Sequence, residues 1–258
     1  MGNTAEITKI FDNVWQFHEQ SDAAIVDAYL VVGSERAVLI DCLQTVCGLY
    51  DEVRKITSLP FDVLITHGHL DHLGDDAVNL KAAGCRIYMD SRDLMIPEKL
   101  HGTHFEDGFF TSLAPGDIFD LRGVKLEVLD MPGHTPGSVV YFDRENQRLY
   151  SGDAIGSGSI WLQIPCTSRL SEFCANIKKL YEKLASYSGL LILPGHRYQS
   201  PVPIGLQYIR DVISCTEKVI AGELTGESDV LHFPSGDINC RSASYGQMLS
   251  FCYDPERL

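Results

Sequence analysis

The sequence predicts a mixed α/β chain of two similar halves. Three observations predict it. Short apolar runs of strand length alternate with amphipathic stretches of helical period. The order of strands followed by helices occurs twice along the chain. In both halves, residues of metal-ligand type fall just past an apolar strand. With 258 residues, 45% of them hydrophobic, the chain is long enough to bury a sizeable core.

In chain order, Val14-Trp15-Gln16-Phe17, Ala28-Tyr29-Leu30-Val31-Val32 and Ala37-Val38-Leu39-Ile40 read as three consecutive strands. Gly33, Ser34 and Glu35 make the turn between the last two. Asp41 follows the third strand directly. A carboxylate there is either a turn-former or an acceptor that orients a ligand histidine. Leu49, Val53 and Ile56 share one face of a helix. Phe61-Asp62-Val63-Leu64-Ile65 is a short buried strand, a helix covers 75–83, and a strand covers 86–89. Residues 91–115 mix Pro97, Gly102, Gly108, His101, His104, Phe105, Phe109 and Phe110 without a sustained period. A connection of this length is a lid over a pocket or a surface excursion whose aromatics pack on the domain.

The second half opens with strands at 118–120 and 124–129 around Arg122-Gly123. A strand pair at 138–142 and 148–150 follows. Phe173, Ile177, Leu180 and Leu184 mark a helix, Leu190-Leu191-Ile192-Leu193 a buried strand, and Ile209, Val212, Ile213, Val219 and Ile220 a last helix. No linker or low-complexity segment separates the halves.

Charge and cysteines narrow the function classes. Lys and Arg number 21 against 35 Asp and Glu, a formal charge of −14. That argues against nonspecific binding to nucleic acid or an anionic membrane, both of which need basic surface. An anionic substrate stays open, because bound metal cations reverse the local field. The segment Met1-Gly2-Asn3-Thr4-Ala5-Glu6 has no basic-plus-apolar signal region, and no apolar run approaches membrane-spanning length. The eight cysteines have irregular spacing and no Cys-x-x-Cys pair. Reduced thiols in a cytoplasmic protein are the expectation.

The chemistry concentrates in Thr66-His67-Gly68-His69-Leu70-Asp71-His72. Three imidazoles and a carboxylate this close would compete for partners if buried, and a divalent metal relieves that cost. Met131-Pro132-Gly133-His134-Thr135-Pro136-Gly137 carries another histidine past a strand, Ser151-Gly152-Asp153 a carboxylate, and Pro194-Gly195-His196 a further histidine. Five of the nine histidines fall in these positions, and seven such placements are hard to attribute to chance.

As a set, His-x-His-x-Asp-His, Gly-His-Thr, Gly-Asp and Gly-His resemble the metallo-β-lactamase superfamily from Val14 to His196. The resemblance implies a four-layer αββα sandwich of two similar halves, one domain over 1–258, with the site at one edge between the sheets. It implies two divalent metals. His67, His69 and His134 would hold the first, Asp71, His72 and His196 the second, and Asp153 would bridge them. Donors of this kind without thiolate suit zinc and tolerate iron or manganese. The implied activity is hydrolysis of a small ester, thioester, lactone or amide by metal-activated hydroxide, with Asp71 accepting a proton or orienting the nucleophile. A phosphodiesterase, or a mononuclear-iron dioxygenase of the persulfide type, shares the motif.

Departures from family patterns bear on substrate. The best-known β-lactamase subclass has Cys where this chain has Asp153. Homoserine-lactone lactonases carry a Tyr where Gly156 stands, and flavodiiron proteins carry a Glu where His69 stands. Glyoxalase-II-like thioesterases differ after the bridging Asp and carry basic residues for glutathione that are not found here. Substrate contacts are expected from segments flanking the ligands. Trp161, past the pliable Gly156 and Gly158, is a pocket wall or a core residue. Tyr198 bonds a substrate oxygen or stands at the surface. His104 and Phe105 would close the opposite side.

Overall fold

The computed structural model describes residues 4–22, 24–197, 203–233, 236–246 and 249–258. Seven strands form the first sheet in sequence order: β1 (Glu6–Phe11), β2 (Val14–Gln20), β3 (Ile25–Val32), β4 (Ala37–Ile40), β5 (Phe61–Leu64), β6 (Ile87–Asp90) and β7 (Phe110–Leu113). The strands are antiparallel as far as β4 and parallel from β4 to β7. Parallel neighbours need crossovers. The helices α1 (Leu49–Ile56), α2 (Leu70–Leu73), α3 (Ala77–Ala82) and α4 (Ile96–His101) lie in these connections.

The second sheet has the order β13-β11-β10-β9-β8. Its strands are β8 (Ile118–Asp120), β9 (Lys125–Asp130), β10 (Val139–Asp143), β11 (Arg148–Gly152) and β13 (Leu191–Pro194). Helix α5 (Leu170–Leu184) carries the chain from β11 to its parallel neighbour β13. Helix α6 (Leu206–Ile220) follows. The last sheet runs β12-β16-β15-β14, from β12 (Ser159–Leu162), β14 (Glu227–Phe233), β15 (Gly236–Tyr245) and β16 (Leu249–Tyr253).

Side-chain alternation along the strands separates three apolar layers. On β4, Ala37 and Leu39 face α1 and α3 with Val53 and Leu80, while Val38 and Ile40 face the second sheet. On β10, Val139 and Tyr141 face the first sheet, while Val140 and Phe142 pack with Phe173, Ile177 and Ile209 of α5 and α6. Helix layer, sheet, sheet and helix layer follow one another, which is the αββα arrangement. Two tyrosines stitch the sheets together. Tyr29 donates to the Pro194 carbonyl at 2.7 Å, and Tyr141 donates to the Ile65 carbonyl at 2.7 Å.

The elements that the sequence left out include edge strands and the whole C-terminal sheet, whose inner strands β15 and β16 are partly buried. Phe110–Leu113 pairs only with β6, and three of its four residues are partly or fully exposed. Residues 91–115 therefore hold a 3-10 turn (Ser91–Asp93), α4 and an edge strand. The segment at 157–161, expected to be pliable, is in good part a strand, because β12 pairs in parallel with β16.

Parallel pairing fixes where the strand ends fall. Ile40 is in register with Leu64, so Asp41 and the histidine loop leave the first sheet at the same edge. Gly152 is in register with Pro194, so Asp153 and His196 leave the second sheet together. The Val139 N–H bonds the Thr66 carbonyl at 3.0 Å and ties these edges to each other. Tyr141→Phe would leave the buried Ile65 carbonyl without its side-chain donor just ahead of the histidine loop. We expect a loss of about 1–2 kcal/mol in stability, read as a lower urea midpoint at unchanged slope.

Candidate metal centre

His67 leaves the end of β5, and His69 caps α2 in an extended conformation. The single turn of α2 then carries Asp71 and His72 back toward the same space. Two glycines permit the approach. A Cβ on Gly68 would sit 2.9 Å from the Asp93 carbonyl, and one on Gly195 would sit 2.4 Å from Cε1 of His72. Loops from the second sheet supply His134, Asp153 and His196.

The seven residues form two clusters, His67-His69-His134 and Asp71-His72-Asp153-His196, each with its donor atoms within 4.8 Å of one another. In the first, Nδ1 of His69 lies 3.2 Å from Nε2 of His67 and 2.9 Å from Nε2 of His134. In the second, Nε2 of His72 lies 3.4 Å from an Asp153 oxygen, and Nε2 of His196 lies 3.2 Å from Asp153 and 3.5 Å from Asp71. Asp153 also lies 3.8 Å from Nε2 of His134, so it stands between the clusters.

Four of the five rings are held by their other nitrogen. His134 donates from Nδ1 to the Trp161 carbonyl at 2.9 Å, and His196 donates from Nδ1 to the Ile25 carbonyl. Nδ1 of His67 meets Thr66 Oγ1 at 3.1 Å, while that hydroxyl donates to Asp41 at 2.8 Å. Nδ1 of His72 faces Asp41 at 2.8 Å. Asp41 is therefore an orienting acceptor. It is buried at a left-handed φ of 63°, a conformation that costs a non-glycine residue about 1 kcal/mol or more, and it also takes the Thr66 N–H at 2.8 Å. Ser157 donates to Asp153 at 2.9 Å and accepts the His196 N–H at 3.2 Å.

These partners leave lone pairs pointing inward. Burial holds His67 well below the ordinary imidazole value and pushes His69 down to about 3, so both rings are neutral. A neutral imidazole has one N–H. With Nδ1 of His67 and His134 donating outward, their Nε2 lone pairs converge on Nδ1 of His69. Among the described residues, the buried Nε2 of His72 has no hydrogen-bond partner. In the second cluster, burial opposes charge on His72 and His196. The carboxylates, Asp153 foremost, outweigh it and hold both rings up, His196 at about 12. Burial likewise opposes ionisation of Asp71 and Asp153, yet the neighbouring imidazoles hold both carboxyls well down. Converging lone pairs and ionised carboxylates call for positive charge at their centre, and divalent ions fit that demand.

Other residues fall elsewhere than expected. His104 has an exposed side chain facing Glu98 at 3.5 Å, because Gly102 ends α4 and reverses the chain. Phe105 stacks with Phe109 and Phe110, at centroid distances of 4.6 and 5.0 Å, against the first helix layer. Neither closes the site as expected. The histidine that approaches it is His101, whose ring lies edge-on to His69 at 5.8 Å. Trp161 is half-buried in β12, and its carbonyl reaches His134. Tyr198 lies outside the described residues. Sequence reasoning missed Asp93, which is buried and accepts from Gly68 N–H at 2.9 Å, Thr135 Oγ1 at 2.6 Å and Gly137 N–H at 2.6 Å. It clamps the first histidine loop to the His134 loop, and no local pattern marks it.

Fold and site together define an αββα protein with a His/Asp cluster of metal-ligand type at the edge between its sheets. A family model described as the metallo-beta-lactamase superfamily matches residues 22–196. The chain belongs to the metallo-β-lactamase superfamily. It is 28% identical over 210 residues to an acyl-coenzyme A thioesterase (MBLAC2) of Gallus gallus, covering 70% of this chain and 75% of that protein. It is 34% identical over 122 residues to the hydroxyacylglutathione hydrolase GloC of Haemophilus influenzae, covering 42% of this chain and 57% of that protein. Among solved structures, a metallo-beta-lactamase from Pontibacter korlensis superposes with a TM-score of 0.65 at 20% identity, over 83% of this chain and 99% of that one.

Asp41→Ala would free Nδ1 of His72 and remove the support of Thr66. Loss of such an orienting carboxylate typically weakens metal binding 10–100-fold. We expect a fall of about that size, measured by competition with a chromophoric chelator.

Proposed function

We propose that this chain hydrolyses a carboxylic thioester with two divalent metal ions, most suitably zinc. His67, His69 and His134 would hold one ion and Asp71, His72 and His196 the other, with Asp153 between them. The observation that carries this reading is the convergence of ring nitrogens from His67 and His134 on Nδ1 of His69, both within 3.2 Å of it, next to a second cluster in which Nε2 of His72 has no hydrogen-bond partner among the described residues. Nitrogen and oxygen donors without thiolate suit zinc, iron or manganese. Ions bound there supply Lewis acidity toward a carbonyl oxygen and lower the pKa of a coordinated water toward neutrality.

The chain's own groups set the rest. Asp71 is the more exposed of the site's two carboxylates, its side chain 29% accessible against 13% for Asp153, and it is held ionised by His72 and His196. It is suited to accept a proton from the attacking water or to orient it. A thiol of pKa about 8.5 leaves as thiolate without prior protonation. An amine leaving group needs a proton donor, so the thioester asks least of this site. The thioesterase and glutathione-thioester relatives support that choice. We take residues 1–258 as one catalytic unit acting on a small molecule in the reducing cytoplasm. The charge of −14 and the absence of disulfides among the described cysteines support this, with neither nucleic acid nor membrane as partner.

Metal analysis of protein saturated with zinc should give two ions per chain. A panel of acyl-thioesters and phosphodiesters should show turnover of the thioesters. One ion per chain with dioxygen uptake on a persulfide would sink the reading in favour of an oxygenase.

Asp153→Asn removes the charge shared by the two clusters. It should lower occupancy of at least one ion and reduce kcat steeply. Unchanged metal content and kcat would make Asp153 a turn residue.

Trp161→Ala keeps the carbonyl that holds His134, so full metal content is expected. If the ring is a pocket wall, KM for the thioester rises. A several-degree fall in Tm with unchanged kinetics would make it a packing residue.

A further inference from the structure

We propose a separate metal-binding site on the C-terminal sheet, in which Asp229, Cys240 and Cys252 hold one thiophilic divalent ion of the zinc class. The three residues come from three adjacent strands. Asp229 on β14 stands directly opposite Cys240 on β15. Cys252 on β16 stands opposite Ser242, two residues along the same face from Cys240. The carboxylate oxygen and both sulfurs lie within 4.8 Å of one another.

Packing does not account for these thiols. Residues that alternate with them, Ala243, Phe251 and Tyr253, point to the other face and enter the core with α6. Cys42 and Cys85 belong to the first helix-layer core and Cys215 to the last; Cys174, Cys240 and Cys252 belong to none of the three apolar clusters, and of these Cys240 and Cys252 stand together with a carboxylate. Both are nonetheless only 4% exposed. Their surroundings are polar. Ser159 Oγ lies 3.4 Å from Cys252 Sγ, and Ser159, Ser242 and Ser250 hydroxyls link at 3.3 Å. No ion pair to Asp229 occurs among the described residues.

The cluster thus brings together one carboxylate and two potential thiolates. Burial, Cys252 and Asp229 push the Cys240 thiol up to about 11, so without an ion it is protonated. Binding releases two protons, Cys240 and Cys252 each exchanging S–H for S–metal. Two thiolates and a carboxylate leave a fourth tetrahedral position for water. Sulfur donors distinguish this site chemically from the His/Asp centre, which has none.

Cobalt(II) exploits that difference. The reduced, metal-loaded protein is dialysed against cobalt(II) and followed for thiolate-to-cobalt charge-transfer absorption in the near ultraviolet. Histidine and carboxylate ligands cannot produce that band. We expect it to saturate at one cobalt per chain beyond the His/Asp sites. It should vanish in Cys240→Ser and in Cys252→Ser and persist in Cys47→Ser, which alters an exposed thiol. Asp229→Asn keeps both thiols and the size of the side chain. It should weaken cobalt binding at least about tenfold, the smaller end of losses seen when a metal site is impaired. Folding of each variant is checked by circular dichroism, and Asp229→Asn carries the test where a cysteine variant fails to fold. No band in the wild type, a band undiminished in the folded variants, or a Cys240–Cys252 disulfide in the purified protein with no band after reduction would each overturn the proposal.

Discussion

Imidazole lone pairs repel one another where they meet, and the edge of this sandwich is built to hold the rings of His67, His69 and His134 converged beside a second cluster of imidazoles and carboxylates. The restraint comes from the far side of four of the five rings. Asp41 fixes His72 and Thr66, Thr66 fixes His67, the Trp161 carbonyl fixes His134, and the Ile25 carbonyl fixes His196. A carboxylate or carbonyl acceptor behind an imidazole sets its tautomer and aims the free lone pair. Remove the acceptors and the rings could rotate apart to relieve the repulsion. The inward geometry therefore depends on outward hydrogen bonds, and those depend on strand register.

Two buried carboxylates distribute that restraint between the halves. Asp41 works within the first sheet's edge. Asp93 spans from Gly68 to Thr135 and Gly137, so the two histidine loops share one acceptor. Burial pushes the Asp93 carboxyl above its usual value, and three donors pull against that. Leaving those donors buried and unpaired would cost on the order of 1–3 kcal/mol each. The clamp thus resists separation of the loops for the same reason that it is expensive to bury.

Strands buried on both faces were legible because they read as apolar runs, unbroken at 37–40 and 190–193 and interrupted only by Asp62 at 61–65. The ligand set was legible because each member falls just past a strand, the histidine loop and His196 after the most apolar ones. Edge elements were not: β1, β7 and β14 pair on one side, expose much of their length and carry no clear period. Asp41 was undecidable from sequence, since a turn-former and an orienting acceptor occupy the same place in the chain. Its positive φ and three bonds decide it. His104 was expected to close one side of the site, but the reversal at Gly102 sends it to Glu98, and His101 is the ring that lies against His69. Asp93 carries no signal, because its partners lie 25 to 44 residues away.

The family model ends at His196, yet the metal centre does not stop there. Trp161 lies in β12, and β12 is held in the last sheet only by β16, with Trp161 opposite Cys252. That sheet packs through Ala243, Phe251 and Tyr253 onto α6, which packs in turn on the second sheet's helix layer. The carbonyl that orients His134 is therefore positioned by residues beyond the matched region. A backbone acceptor is insensitive to the identity of its own side chain but sensitive to the register of its strand. In this chain the C-terminal sheet can vary in sequence while still fixing a histidine of the centre, provided that the β12–β16 register is kept.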